Sequence, residues 1–326
     1  MANEATGAET EETMQEDDRT IGRVRDALRQ ERIGVTVVVP SYGEGSGIVP
    51  TLASLWEGMV RLGLEDAPVL LSDSSPDSGT VDAARQWASA ASCRLVVDHS
   101  TERRSLKQAL NVALACVETD VVVVAVADVV VPSASLACLI EPICVLHSAD
   151  VAVGVSASDP SVKGLRHRAG AFQLDVVRRL VRTGGSSMRA EGALWAAHRR
   201  FYAQWQFPIG QGSVSDDVEV ARAVEAGRFR GVTVADAVVF KVPPGTIRDF
   251  CLQTRRWYFA SADDRPAVRS TAEWKAFGAE AVRDPLGSTL YVTYRLVAAV
   301  TARRWARSAH SETWEPSMST KRGTIR

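Results

Sequence analysis

The sequence predicts an α/β protein built on a mostly parallel sheet flanked by helices. Two observations carry that reading: short Val/Leu-rich runs that end in turn residues, and stretches of helical spacing between them. Strands that alternate with helices need crossover connections, which favour a parallel, doubly wound sheet whose ligands bind beyond the carboxyl ends of the strands.

The elements follow in order. Residues 1–18, MANEATGAETEETMQEDD, are acidic and poor in apolar side chains, and so are expected to form a disordered tail. IGRVRDALRQER (20–31) has the spacing of a short lead-in helix. GVTVVVPSY (34–42), PVLLSDSS (68–75), CRLVVDHS (93–100) and VVVVAVADVVVP (121–132) read as strands. Between them, IVPTLASLWEGMVRLG, VDAARQWASAA and KQALNVALACVE read as helices. Beyond about 150 the regularity weakens. DVAVGVSAS and GVTVADAVVFKV (231–242) read as strands and QLDVVRRLVR as a helix, while GGSSMRAEGALWA reads as a surface loop near the site. One helix is expected near 288–307, followed by a polar end. The chain then divides into a tail and lead-in helix (1–30), a main domain (31–262) with halves meeting near 150, and an extension (263–326).

Composition excludes several classes. With 38 Lys and Arg against 39 Asp and Glu there is no basic excess to suggest a nucleic-acid partner. The five cysteines form no C-x-x-C pair, so most are expected to be small buried hydrophobes in a reducing compartment. The acidic start is the opposite of a secretory signal, and no run is apolar enough to span a bilayer, so a cytoplasmic protein is expected.

Chemistry concentrates at strand ends. PSYGE (Pro40–Glu44) and SDSSPDSGT (Ser72–Thr80) place small hydroxyl, acidic and Gly residues where a turn can aim amides and a carboxylate at a ligand, or simply close a strand. Asp128 is the lone acid of an apolar run, and a buried carboxylate is costly unless it is paired or binds a metal. Farther on stand Ser215-Asp216-Asp217-Val218-Glu219 and Gln253-Thr254-Arg255-Arg256-Trp257.

These stretches together, over roughly residues 34–262, resemble the inverting family 2 glycosyltransferases of GT-A (Rossmann-like) fold. Pro40-Ser41-Tyr42-Gly43-Glu44 matches that family's Pro-Thr/Ser-Tyr-Asn-Glu-like run, and Ser72-Asp73-Ser74-Ser75-Pro76-Asp77 its Asp-Asp-Gly-Ser-x-Asp-like run. Val126-Ala127-Asp128 stands where the family has its Asp-x-Asp metal motif. Asp216-Asp217 stands at its acidic motif, and Gln253 to Trp257 is a complete Gln-x-x-Arg-Trp, frequent in cellulose, hyaluronan and chitin synthase-like members. Two acids of the pattern are replaced, by Ser72 and Val126.

The resemblance implies donor contacts from Pro40, Tyr42, Glu44, Asp73, Lys107, Gln253, Arg256 and Trp257, with Asp73 on the base edge. Arg104, Lys107 and Asn111 are offered to the diphosphate or base, or form a solvated helix face. Asp128 would hold a divalent metal, Mg²⁺ or Mn²⁺, bridging the donor diphosphate, or would merely cap its strand. Asp217 would serve as general base with Asp216 beside it. The five histidines are expected to be structural or on the surface.

The implied activity moves a single sugar from a nucleotide-sugar donor, UDP- or another NDP-sugar, to a small-molecule, lipid-linked or glycan hydroxyl, with inversion. Rivals are a non-catalytic nucleotide-sugar binder, favoured by Val126, and a polymer synthase subunit working with a separate membrane partner. A nucleotidyltransferase ranks last, because GEGSG after the first strand lacks a basic residue. The helix near 288–307, with Arg303, Arg304 and Arg307, is offered either to a membrane surface or to the domain core.

Overall fold

The computed structural model describes residues 2–184, 193–209, 216–260 and 270–305, without the side chains of 2–13, 255–260 and 301–305. Helix α1 (Ala2–Glu31) leads into β1 (Val35–Ser41), α2 (Ile48–Arg61), β2 (Val69–Asp73), α3 (Gly79–Ala91), β3 (Leu95–His99), α4 (Leu106–Ala115) and β4 (Val121–Ala125). Then come β5 (Val129–Val130), α5 (Ser133–Cys144), β6 (Val151–Ser158), α6 (Arg168–Arg182), β7 (Leu194–His198) and α7 (Arg199–Tyr202). Helix α8 (Asp216–Glu225), β8 (Gly231–Lys241), α9 (Ile247–Ala260), α10 (Thr271–Arg283) and α11 (Pro285–Trp305) follow.

The strands form one mixed sheet in the order β3-β2-β1-β4-β7-β6-β8-β5. Its first half is parallel, and β7 enters antiparallel between β4 and β6. The carboxyl ends of β1–β4, β6 and β8 and the start of β7 therefore lie along one edge. Alternate residues of β1 feed opposite cores: Val37 and Val39 pack with α1, α2 and α5, while Val38 packs with α4, Trp195, Phe201 and Val220. Both faces are covered, which is why these strands read as unbroken apolar runs.

Four expectations change. The acidic start is helical from Ala2 rather than disordered: Ala, Glu and Met are strong helix formers, and Ile21, Val24 and Leu28 anchor the helix to the first core. The run at 121–132 is two strands with Asp128 on the turn between them. Residues 194–198, of which 194–196 read as the end of a loop, form the sheet's fifth strand in spatial order. Two helices follow α9 instead of one: a Ser270/Glu273 capping box starts α10, and Pro285, suited to the first helical position, starts α11. The Gly/Ser-rich segment at 185–192 lies outside the described residues.

Burial of the cysteines is uneven. Cys144 and Cys251 are buried, Cys93 and Cys138 partly so, and Cys116 is exposed. Burial pushes the thiols of Cys138 and Cys144 up to about 12, which leaves them poor nucleophiles near neutral pH. No helix among the described residues is long and apolar enough to cross a membrane.

Candidate active site

Ser41, Asp73 and His99 stand in register at the ends of three adjacent parallel strands. Asp73 has a fully buried side chain, and it joins the row. Its Oδ1 accepts from Ser41 Oγ (2.7 Å) and Ser75 Oγ (2.7 Å), and its Oδ2 from Ser75 N–H (3.2 Å) and His99 Nδ1 (2.9 Å). Four protein donors thus occupy the oxygens of Asp73, the residue expected on the donor's base edge. His99, one of the histidines expected to be structural or on the surface, lies at the exposed end of this network.

The first loop is tied to the second by the same kind of bond. Gly43 N–H donates to Ser75 Oγ (2.8 Å) and Gly45 N–H to Thr80 Oγ1 (2.9 Å). Gly43 has φ +66°, a left-handed conformation that Gly adopts freely and Asn tolerates. That explains how Gly can stand at the Asn position of the resembled motif. Pro40 is buried in β1 two residues past the strand's last pairing with β4, at Val38, where a missing N–H costs little. Tyr42 is half-buried with the Arg103 guanidinium 4.3 Å from its ring centroid, a cation–π contact, and Glu44 is half-buried ahead of the 3₁₀ turn Gly45–Gly47.

Helix α4 opens with a Ser105/Gln108 capping box, and Lys107 in its first turn is only 2% exposed. Asn111 is committed elsewhere: its amide donates to the Phe207 carbonyl and accepts from the Phe207 N–H, both at 2.9 Å. Asn111 thus fastens α4 to the segment after α7. Arg104 pairs with Asp98.

Asp128 is half-buried on the β4–β5 turn, which α2 clamps. Thr51 Oγ1 donates to the carbonyls of Ala127 (2.9 Å) and Val129 (2.6 Å), and Val131 N–H donates to Ser54 Oγ (3.0 Å). No group of three or more His, Cys, Asp or Glu side chains that could hold a metal ion is present among the described residues. A lone carboxylate on a rigid turn nonetheless fits Mg²⁺ or Mn²⁺ of the kind held by one or two protein acids together with substrate phosphates.

The pair at the start of α8 sits at the same edge. Asp216 is 4% exposed and its Oδ2 accepts from Trp195 Nε1 (3.3 Å) in β7. Its carboxyl is pushed up to about 7, first by burial and then by the adjacent Asp217, against the lowering effect of the Trp195 bond. Asp217 is less buried, and its Oδ1 accepts from Val218 N–H (2.8 Å). One acid is set back against the core, and its neighbour is partly accessible. Trp195 is 1% exposed in the second core. Its NH bond makes it a support for Asp216.

Helix α9 carries Gln253, half-buried, with Arg256 and Trp257 at i+3 and i+4 on the same side of the helix. The side chains of Arg256 and Trp257 lie outside the described part of the structure. Thr246 caps the helix: its Oγ1 donates to Asp249 Oδ2 (2.9 Å) and accepts from Asp249 N–H (3.1 Å). Strand β5, just after Asp128, pairs with Phe240 and Lys241, so the β8–α9 link begins beside the Asp128 turn. His167 Nδ1 bonds the Pro243 carbonyl (2.7 Å) and its ring fills the space where a Gly245 side chain would sit, 2.6 Å from an added Cβ. Gly245→Ala should therefore displace the link and lower stability by about 1–3 kcal/mol. Thermal denaturation checks this, and an unchanged midpoint would show that His167 yields freely.

Comparison with known proteins bears on these features together. A search of curated proteins finds no match. Among solved structures, a mannosyltransferase from Pyrobaculum calidifontis (PcManGT), in complex with GDP-Man and Mn²⁺, is 20% identical with a TM-score of 0.51, covering 86% of this chain and 77% of that chain. Glucosyl-3-phosphoglycerate synthase from Mycobacterium tuberculosis, in complex with phosphoglyceric acid, is 19% identical with a TM-score of 0.43, covering 67% of this chain and 72% of that chain. The first likeness supports the fold, a mixed, mostly parallel sheet flanked by helices as in GT-A proteins. The family model described as "Glycosyl transferase family 2" matches residues 36–204, more than half of the 326-residue chain, from β1 through the strand that supports Asp216. The chain belongs to glycosyl transferase family 2.

Proposed function

We propose that the protein transfers a single sugar from a nucleotide-sugar donor to a hydroxyl acceptor in one displacement, inverting the anomeric centre. The observation that carries this reading is the Asp216–Asp217 pair at the sheet's carboxyl edge, with one acid buried against Trp195 and its neighbour partly accessible. Asp217 takes the acceptor proton as its oxygen attacks. Buried Asp216, on Trp195, fixes the start of α8 and so the position of Asp217. Tyr42, Glu44 and Lys107 border the donor, and Gln253, Arg256 and Trp257 approach from α9. Pro40 and Asp73 shape the donor loops from within. Asp128 would hold Mg²⁺ or Mn²⁺, which when bound neutralises charge on the leaving diphosphate. The fold is shared with a mannosyltransferase that binds GDP-Man with Mn²⁺, which agrees with a nucleotide-sugar donor.

A screen of UDP-, GDP-, ADP- and CDP-sugars with either metal, reading release of the nucleoside diphosphate, tests the proposal. Turnover of one donor supports it. Tight donor binding with no turnover in the presence of any hydroxyl acceptor class favours the non-catalytic binder, the reading that Val126 at the metal motif motivates.

The acceptor reading extends to a lipid surface. Helix α11 turns Tyr291 inward against Phe250 of α9, while Leu286, Val292, Leu296 and Val300 face outward, the last two 63% and 65% exposed. Arg303, Arg304 and Arg307 follow in the sequence. A helix apolar on both sides, ending in a basic cluster, suits an anionic membrane interface next to the catalytic helix. Vesicles containing anionic phosphatidylglycerol should sediment with the protein and neutral phosphatidylcholine vesicles much less. Leu296→Glu should weaken co-sedimentation about tenfold, on the scale of one buried apolar side chain. Equal recovery with and without vesicles would sink the membrane contact.

A further inference from the structure

Of the two acids in the resembled Asp-Asp run, the first is replaced by Ser72 and the second, Asp73, expected on the donor's base edge, is enclosed. Ser72 is completely buried, and both oxygens of Asp73 are occupied by protein donors. One strand over, Asp98 stands in register beside Ser72. Side chains alternate along a strand, so Asp98 projects toward α4, on the opposite face from His99 and Asp73. There Ser72 Oγ donates to Asp98 Oδ2 (3.0 Å), and Arg104 pairs with the same oxygen. Asp98 Oδ1 has no hydrogen-bond partner among the described residues, and the side chain is 27% exposed. Two donors on one oxygen hold the carboxylate in place and leave the other oxygen available to a ligand. Arg103, immediately before the Arg104 that pairs with Asp98, covers the ring of Tyr42, so Asp98 lies close to the first donor loop.

We propose that Asp98 is the carboxylate that reads the donor's base, standing in from β3 for Asp73, whose oxygens are taken by protein donors. A single outward acceptor oxygen suits an imino N–H, which uracil and guanine present on their pairing edge. Cytosine and adenine present a ring nitrogen acceptor there, and a carboxylate repels it. The site thus selects a uridine or guanosine diphosphate sugar. This inference rests on the glycosyltransferase reading, and its test separates the two.

Binding of UDP, GDP, CDP and ADP to the wild-type chain and to Asp98→Asn, measured by titration calorimetry, decides it. Wild type should bind UDP or GDP at least about tenfold more tightly than CDP and ADP. Asp98→Asn should lose about ten- to a hundredfold for the preferred nucleotide, the scale of one charge-assisted hydrogen bond, and change by less than about threefold for CDP and ADP. Ser72→Ala keeps the carboxylate but removes one of the donors that orient it, and should reduce the same preference a few-fold, about the worth of one hydrogen bond. That variant keeps the test alive if Asp98→Asn does not fold. A uniform loss across all four nucleotides, or an unchanged preference in both variants, overturns the assignment. If wild type binds none of the four, the glycosyltransferase reading itself fails and the inference falls with it.

Discussion

Replacing Asp217 with Asn is expected to lower sugar transfer by about a hundred- to ten-thousandfold, the range over which a positioned general base contributes. The substitution is close to isosteric. The Asn side-chain oxygen can still accept the Val218 N–H that Asp217 Oδ1 accepts at 2.8 Å, so the start of α8 should keep its shape. What is lost is the ability to take a proton from the acceptor hydroxyl as it becomes the attacking nucleophile. Because the acid acts on the acceptor, donor affinity should stay within about twofold, and the loss should fall on kcat rather than on donor KM. Initial rates at saturating donor, with nucleotide affinity measured alongside, separate these quantities. Retention of more than about a third of wild-type transfer would remove Asp217 from the role of base, since such a change is far below what general-base loss produces.

The parts of this site that were legible in the sequence are those whose chemistry is local. PSYGE and SDSS end strands, and DD opens a helix, each within a few residues, and all three lie at the sheet's carboxyl edge in the structure. What could not be read is long-range. Asp73 finds Ser41 and His99 through strand register, across 32 and 26 positions, and nothing in SDSS announces that its acid is enclosed. Asn111 resembled a donor contact from its place on a helix, yet both ends of its amide are spent on Phe207, 96 residues away. Strand β7 escaped for a different reason. LWAAH is short and buried on both sides at its centre, so it lacks the alternation that marks a half-exposed strand. A usable signal was present for α10, since Ser270 and Glu273 have capping-box spacing. Asp98 also carried one: it is an acid at a predicted strand end, one residue before His99.

Asp216→Asn should stabilise the protein at alkaline pH and leave it little changed in acid. The carboxyl's native value, about 7, lies above its ordinary 3.8 because burial and Asp217 both disfavour its charged form. The folded chain therefore holds this proton more tightly than the unfolded chain does. Between roughly pH 4 and pH 7 the native state binds more protons than the unfolded state, so stability falls as pH rises, and the loss is complete once the native group has ionised. Asn cannot ionise, yet its carbonyl can still accept the Trp195 N–H, so the variant escapes that loss while keeping the bond. At about pH 8.5 the variant should exceed wild type by an amount on the order of a few kcal/mol, whereas at about pH 4 the two should nearly coincide. Thermal or urea denaturation across that range gives the comparison, and parallel wild-type and variant curves would show that Asp216 has no raised proton affinity. A gain at high pH would mean that wild type retains a buried acid at a cost in stability. Such retention is expected where a neighbour, here Asp217, must be held in place for chemistry rather than for the fold alone.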